Sequence, residues 1–372
     1  MKKLDYIDAL RGVAILGVIM VHANQYGTSD LGMFERLVNE GARGIQLFYL
    51  ASAFTLFLSF KYRLAKEEFP VRNFFIRRFF RIAPLYYMGV CYYLFQDGFG
   101  PRYWLGDATH ISASNILANI TFLHGFNPYW ITSLVPGGWS IGVEMTFYTI
   151  LPILFSRVKN ISQAMNFFTL SLVLNSVLSV VLAKYPLISD GRLWTDYLFL
   201  YFPSHLPVFA LGVLMYFIIS ENQDIRDISG KSLIAFCSII FCHLMIGGGN
   251  VFFKNHIIFG VGFLIFGIGL SKYRSAILVN PVISHIGKIS FGMYLVHFAV
   301  LHWLTYFNFI DYAENGILNY LIRFFIVTLL TAGISTVLYN TVEVKFQTLG
   351  KNIIDVLEKK SLRQKVELPK AA

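Results

Sequence analysis

Apolar runs of roughly 17–22 residues recur along this chain, each about the length that crosses a ~30 Å hydrocarbon core as a helix. Little else in the sequence restricts the fold as strongly. A water-soluble globule would have to hide such helices on every side. Charged residues make up only 14% of the 372 positions against 56% hydrophobic, too few to coat a soluble surface of that size. The expected fold class is therefore all-α: a polytopic integral membrane protein with about ten transmembrane helices.

The runs predict helices at 9–26, 44–61, 79–96, 139–156, 162–183, 199–219, 231–247, 255–271, 286–305 and 318–340. Clusters such as Asp97-Gly98-Phe99-Gly100-Pro101 and Gly247-Gly248-Gly249-Asn250 punctuate them. A net charge of +10 on a soluble surface would suggest nucleic acid, but here most of it lies in short connectors and sets topology. With the N-terminus in the cytoplasm, only Arg36, Arg43, Arg102, Lys184, Arg192, Lys254 and Arg323 of the 31 basic residues fall outside. Both termini are thus expected in the cytoplasm, with no nucleic-acid partner. Residues 4–343 read as the membrane domain and 344–372 as a basic cytoplasmic tail, a short helix followed by disorder. The longest connector, about 97–138, lies outside, and its apolar stretch near 115–125 is too short to span, so it reads as re-entrant or interfacial. No cleavable signal peptide is evident, and Cys91, Cys237 and Cys242 lack the spacing of a metal or redox site.

A charge deep in a bilayer costs several kcal/mol, so polar residues inside the runs need a partner, a water-filled cavity or a function. On the first helix, Arg11 and His22 share a face and stand roughly 16 Å apart along the axis. Arg11 reads equally well as a snorkelling anchor. On the fourth, Trp139-Ser140-Ile141-Gly142-Val143-Glu144 places Glu144 at a depth close to that of His22, where a carboxylate could orient an imidazole or form a structural ion pair. Ser290, Tyr294 and His297 share the ninth helix, and His297 also reaches mid-depth. At the cytoplasmic end Arg78 and Arg81 share a face, and their guanidinium forks suit phosphate as well as anionic lipid. His110 and His124 lack metal-ligand spacing, and no metal is expected. A phosphorylated donor with a long thin arm, such as a coenzyme A thioester, would match an arginine pair at one end and a histidine at the other.

In order along the chain, Arg11–x10–His22, Arg78-Phe79-Phe80-Arg81, the Trp139–Glu144 block, Ser290…Tyr294…His297 and Tyr339…Glu343 together resemble the motifs of the acyltransferase 3 family of membrane O-acyltransferases. The resemblance covers about residues 4–343. It implies transfer of an acyl group, usually acetyl, from cytoplasmic acyl-CoA to a hydroxyl of an envelope or exported polysaccharide or lipid-linked sugar, in a bacterial plasma membrane. Carried over residue by residue, it gives His22 the chemistry, as general base or transient acyl carrier, with Glu144 tuning it. Arg11, Arg78 and Arg81 would bind the donor, and Tyr294, His297 and Ser140 would contact substrate. Two positions depart from the family pattern. Gly142 stands where serine is common, which opens helix packing, and no proline follows Glu343, which is given only a helix-end role. Some family members carry a fused extracytoplasmic hydrolase-like domain; the chain is expected to end too soon to carry one, so that either a separate outer partner is needed or the chain acts alone.

Two other classes compete. A transporter would use His22, Glu144 and His297 as a proton relay, although no inverted repeat is visible. An envelope-assembly scaffold would need these residues only structurally. The acceptor itself is not legible.

Overall fold

The computed structural model describes residues 4–221 and 254–367, and between them residues 230, 231, 234, 237, 238 and 241. Among these the regular structure is helical, without a strand. Eight helical stretches are long and apolar enough to cross a membrane, and they match eight of the ten expected from sequence. The ninth, α4 (Pro70–Asp97, after α1 Asp5–Asn24, α2 Glu35–Asn39 and α3 Gly44–Leu64), carries four arginines in its first half. The tenth, expected at 231–247, lies largely outside the described residues.

The helix starts follow from local chemistry. In α5 (Ala113–Ile120), Ser112 accepts from the Asn115 N–H, and in α7 (Ile161–Lys184), Asn160 accepts from Gln163. Asp190 does the same for α8 (Gly191–Leu200), Asn280 for α11 (Pro281–Tyr306) and Asn315 for α12 (Gly316–Leu338). Pro70 and Pro281 occupy first helical positions, where a missing N–H costs nothing. The remaining elements are α6 (Gly138–Arg157), α9 (Phe202–Glu221) and α10 (Asn255–Lys272).

Helix α1 is the centre of the assembly, packed between α3 and α11. Small residues allow the close approach: a Cβ on Gly287 would run into the Asp8 carbonyl, and one on Gly12 into the Ile283 carbonyl. The burial pattern is that of a protein turned toward lipid. On α12 the polar residues Asn319, Arg323, Thr331 and Ser335 recur every four or eight positions and are buried, while Leu321, Phe325 and Leu329 are exposed.

Two boundaries differ from expectation. Helix α4 begins at Pro70, not near 79, because the Arg72–Arg81 stretch is helical and its charges are paired locally: Arg77 donates to both Glu67 oxygens at 2.9 Å. The tail is also more regular than expected. Helix α12 passes through a π-helical turn, Tyr339–Glu343, into α13 (Val344–Glu367), 24 residues long, which packs along α4. There Glu358 accepts hydrogen bonds from the Asn73 amide at 2.8 Å, the Glu68 N–H at 3.0 Å and Arg72 at 3.2 Å, capping the start of α4.

Candidate active site

Two cavities lie end to end in the bundle and share the side chains Ile45 and Tyr294 as a wall. The narrower, about 90 Å³, is an arginine chamber lined by Arg11, Arg78, Arg81, Glu144, Tyr148 and Ser52. The wider, about 560 Å³, is a histidine chamber lined by His22, Gln25, Arg43, Trp104, Trp139 and Phe199 among others. Because α1 is unbroken from Asp5 to Asn24, Arg11 serves the first chamber and His22 the second, roughly 16 Å apart along one rod.

In the arginine chamber Arg11 donates to the Thr55 hydroxyl at 2.9 Å and lies 3.7 Å from Asp8. The guanidinium of Arg78 sits 5.9 Å from the Tyr148 ring centre and 6.0 Å from that of Phe74, with its Nε buried and unpartnered. The carboxylate lining this chamber is Glu144. Glu144 Oε1 accepts from the Ser52 hydroxyl at 2.6 Å and from the Tyr148 hydroxyl at 2.6 Å. These short bonds fix the carboxylate among the arginines.

The expected pairing of Glu144 with His22 is therefore not what the structure brings together. Helix α6 turns Glu144 toward α3 and the arginines, whereas the His22 ring packs 5.3 Å from His297 and 4.4 Å from Phe298. Equal depth on two helices does not make two side chains neighbours; axial rotation decides that. The neighbour that His22 does have is one the motifs did not name: its Nδ1 donates to Gln25 Oε1 at 2.8 Å. His297 donates from its own Nδ1 to the Met293 carbonyl at 3.1 Å, leaving Nε2 buried without a partner.

Tyr294 and Ser140 form the joint between the chambers. The Ser140 hydroxyl donates to Tyr294 at 2.9 Å, and Tyr294 donates to the Gly137 carbonyl at 2.9 Å. Gly137 has φ +74°, and a Cβ there would lie 2.5 Å from the Tyr294 oxygen. Gly142 fits its packing role: a Cβ would meet His124 Nε2 at 3.1 Å. The long connector is stapled over the histidine chamber by Arg102, whose guanidinium donates to the carbonyls of Ser133, Leu134, Tyr93 and Gly98.

Glu343, given only a helix-end role by its sequence context, is 2% exposed on the π-helical turn, and neither of its oxygens has a hydrogen-bond partner. A π turn, which often marks a functional position, is not visible in residue spacing.

Fold and site together define a polytopic helical membrane protein with an anion-suited cavity joined to a histidine-bearing one. Residues 4–340 match the family model described as an acyltransferase domain, and the chain belongs to this acyltransferase 3 family. It is 24% identical over 396 residues to the O-acetyltransferase OatA of Staphylococcus aureus strain NCTC 8325, an alignment covering 96% of this chain and 59% of that protein. It is also 22% identical over 385 residues to a Caenorhabditis elegans protein named regulator of hypoxia-inducible factor 1, covering 85% of this chain and 74% of the relative. The chain thus spans under two thirds of the length of the staphylococcal relative. No solved structure matches it.

Proposed function

We propose that the protein moves an acyl group, acetyl by the name of its staphylococcal relative, from acyl-CoA to a hydroxyl of an envelope or exported polysaccharide or lipid-linked sugar. The observation that carries this reading is the pair of chambers meeting at Ile45 and Tyr294, the narrow one lined by three arginines and the wide one by His22 and aromatic rings. Arg11, Arg78 and Arg81 supply donors for an anionic head group, and the narrow cavity admits an arm a few atoms wide. The wider cavity, walled by Trp104, Trp139 and Phe199, suits a sugar face, with His22 as the group that acts on its hydroxyl. Tyr294, Ser140 and His297 surround the point where the thioester carbon would arrive. The basic end of the bundle faces the cytoplasm of a bacterial plasma membrane, with both termini inside and the acceptor side, where a separate outer partner would act, outside. The separation of Glu144 from His22 gives no support to a His/Glu proton relay.

The test compares envelope glycans from three strains: gene deleted, wild type restored, and His22→Ala restored at equal membrane abundance. Base-labile O-acetyl esters should return with wild type and stay absent with His22→Ala. Equal restoration by both would remove His22 from the chemistry. No difference among the strains would reject glycan O-acetylation.

A further inference from the structure

Helix α1 ends two residues past the residue to which the chemistry is assigned, and its end is tied by polar groups to the buried Asn319 and Arg323. Gln25 closes the helix: its backbone N–H donates to the His22 carbonyl at 3.1 Å while its side-chain carbonyl accepts from His22 Nδ1 at 2.8 Å. The next residues leave the helix through Gly27 at φ +67°. Thr28 is then held on three sides. Its N–H donates to Asp311 at 2.9 Å, and its carbonyl accepts from Arg323 at 2.5 Å and from the Asn319 amide at 2.8 Å. Asn319 also donates to Asp311 at 2.7 Å, and Arg323 lies 3.6 Å from that carboxylate. Arg323 is 0% exposed, a charge placed at high cost unless its position is needed. A Cβ on Gly27 would stand 2.5 Å from Arg323 Nη1 and 2.7 Å from Asp311 Oδ1, so the turn has no slack.

We propose that Gln25 is a positioning residue that holds His22 in the Nδ1–H tautomer, and that the Arg323–Asp311–Asn319 clasp keeps Gln25 in place. The proposal rests on His22 as the reactive group. A base or a nucleophile needs an imidazole lone pair, and the hydrogen bond on one ring nitrogen decides which nitrogen keeps it. With Nδ1–H donated to Gln25 Oε1, the lone pair is on Nε2. In the base route the acceptor O–H proton moves to Nε2 as its oxygen bonds the thioester carbon. The C–S bond then breaks, and the imidazolium returns the proton to the thiolate. In the acyl-histidine route Nε2 bonds the thioester carbon through the same lone pair and the C–S bond breaks, releasing the thiolate. The acceptor oxygen then bonds the acyl carbon as the C–Nε2 bond breaks, and its proton goes to the thiolate. Either route is blocked while Nε2 carries the proton. Gln25 itself is exposed and can be replaced without opening the core.

The experiment labels the nine histidines with ¹⁵N in the detergent-purified full chain and assigns His22 by difference from His22→Gln. Wild type should show the Nδ1–H tautomer. Gln25→Ala should shift it toward a mixture and lower acetyl transfer to the glycans of isolated membranes ~10–100-fold, with the KM for acetyl-CoA unchanged, in the range expected when a catalytic base is disordered. Gln25→Glu, which still accepts from Nδ1, should recover most of both; Gln25→Lys, which can only donate, should not. Gly27→Ala, which deletes no contact of its own, should reproduce part of the Gln25→Ala shift. A wild-type Nε2–H tautomer, or a tautomer indifferent to Gln25→Ala, would overturn the proposal. If Gly27→Ala matches wild type in both readouts, the clasp has no part in it. If His22→Ala kept full transfer, the catalytic reading would fall while the tautomer comparison still decided the role of Gln25.

Discussion

The arginine chamber and the histidine chamber touch at Ile45 and Tyr294, yet they solve different problems. On one side three guanidinium groups surround a single hydrogen-bonded carboxylate in a slot of about 90 Å³. On the other, aromatic rings, one imidazole and the charged side chains of Arg43, Arg102 and Asp97 surround about 560 Å³. Each is braced by a buried or half-buried ionic clasp from a distant part of the chain: Glu358 of α13 on the start of α4, and Arg323 of α12 on the turn after α1. On the proposed function, charge in the first would serve recognition of a charged donor, while in the second Arg43 and Arg102 are paired with Glu40 and Asp97 and brace the walls. The lesson is that a single helix can carry an arginine into one cavity and a histidine into another, as the proposed function requires.

Removing the reacting group and removing the donor-binding groups should fail differently. His22→Ala should abolish transfer, a loss of ~10³-fold or more in kcat with acyl-CoA binding intact. Arg78→Gln and Arg81→Gln should each raise the KM for acyl-CoA ~10-fold or more, the worth of one charge-assisted contact, with kcat held within a few-fold. If the arginine variants lost kcat as His22→Ala does, the division between chambers would be wrong.

Glu144→Gln sharpens the same line. Since its carboxylate stands with Ser52 and Tyr148 among the arginines, the substitution should change the donor KM by about 10-fold and leave the acceptor KM alone. A loss confined to kcat with acceptor dependence would restore the His22–Glu144 partnership suggested by sequence. Trp104→Ala should do the reverse, raising the acceptor KM several-fold with the donor KM unchanged.

How far these features could be read without coordinates depends on the kind of interaction. Spans such as α1, α9 and α11 were legible because apolar length is a local property. The start of α4 was not, since Arg72, Arg77, Arg78 and Arg81 look like a connector until Glu67 and Glu358 are seen to pair with that face. His22, Arg11 and the Arg78–Arg81 pair were visible as costly polar residues in apolar surroundings. The partner of His22 was misassigned because depth can be counted along a helix but rotation cannot. Gln25 carries no signal, being an ordinary polar residue at a helix end. Arg323 was read as an outer topology marker, whereas it is buried in the clasp.

The smallest expected effect concerns that clasp. Burial pushes the Asp311 carboxyl up, but hydrogen bonds from Asn319 and Thr28 and the charge of Arg323 outweigh it and hold the group below the usual carboxylate value. A depressed carboxylate contributes stability above its unfolded pKa and loses it as pH falls through the folded one. Acidification below ~pH 4 should therefore lower the melting temperature of wild type more than that of Asp311→Asn, by a few degrees at most because Asp311 is 41% exposed. Equal acid sensitivity would show that the clasp does not depend on this charge.

The most direct test of the two-chamber account asks which face must see the thioester. Inside-out and right-side-out membrane vesicles from expressing cells would be given acetyl-labelled CoA thioester, and alkali-labile label on the glycan would be counted. The account predicts label only in inside-out vesicles, and none with His22→Ala. Equal labelling in both orientations, or labelling that persists without His22, would contradict it.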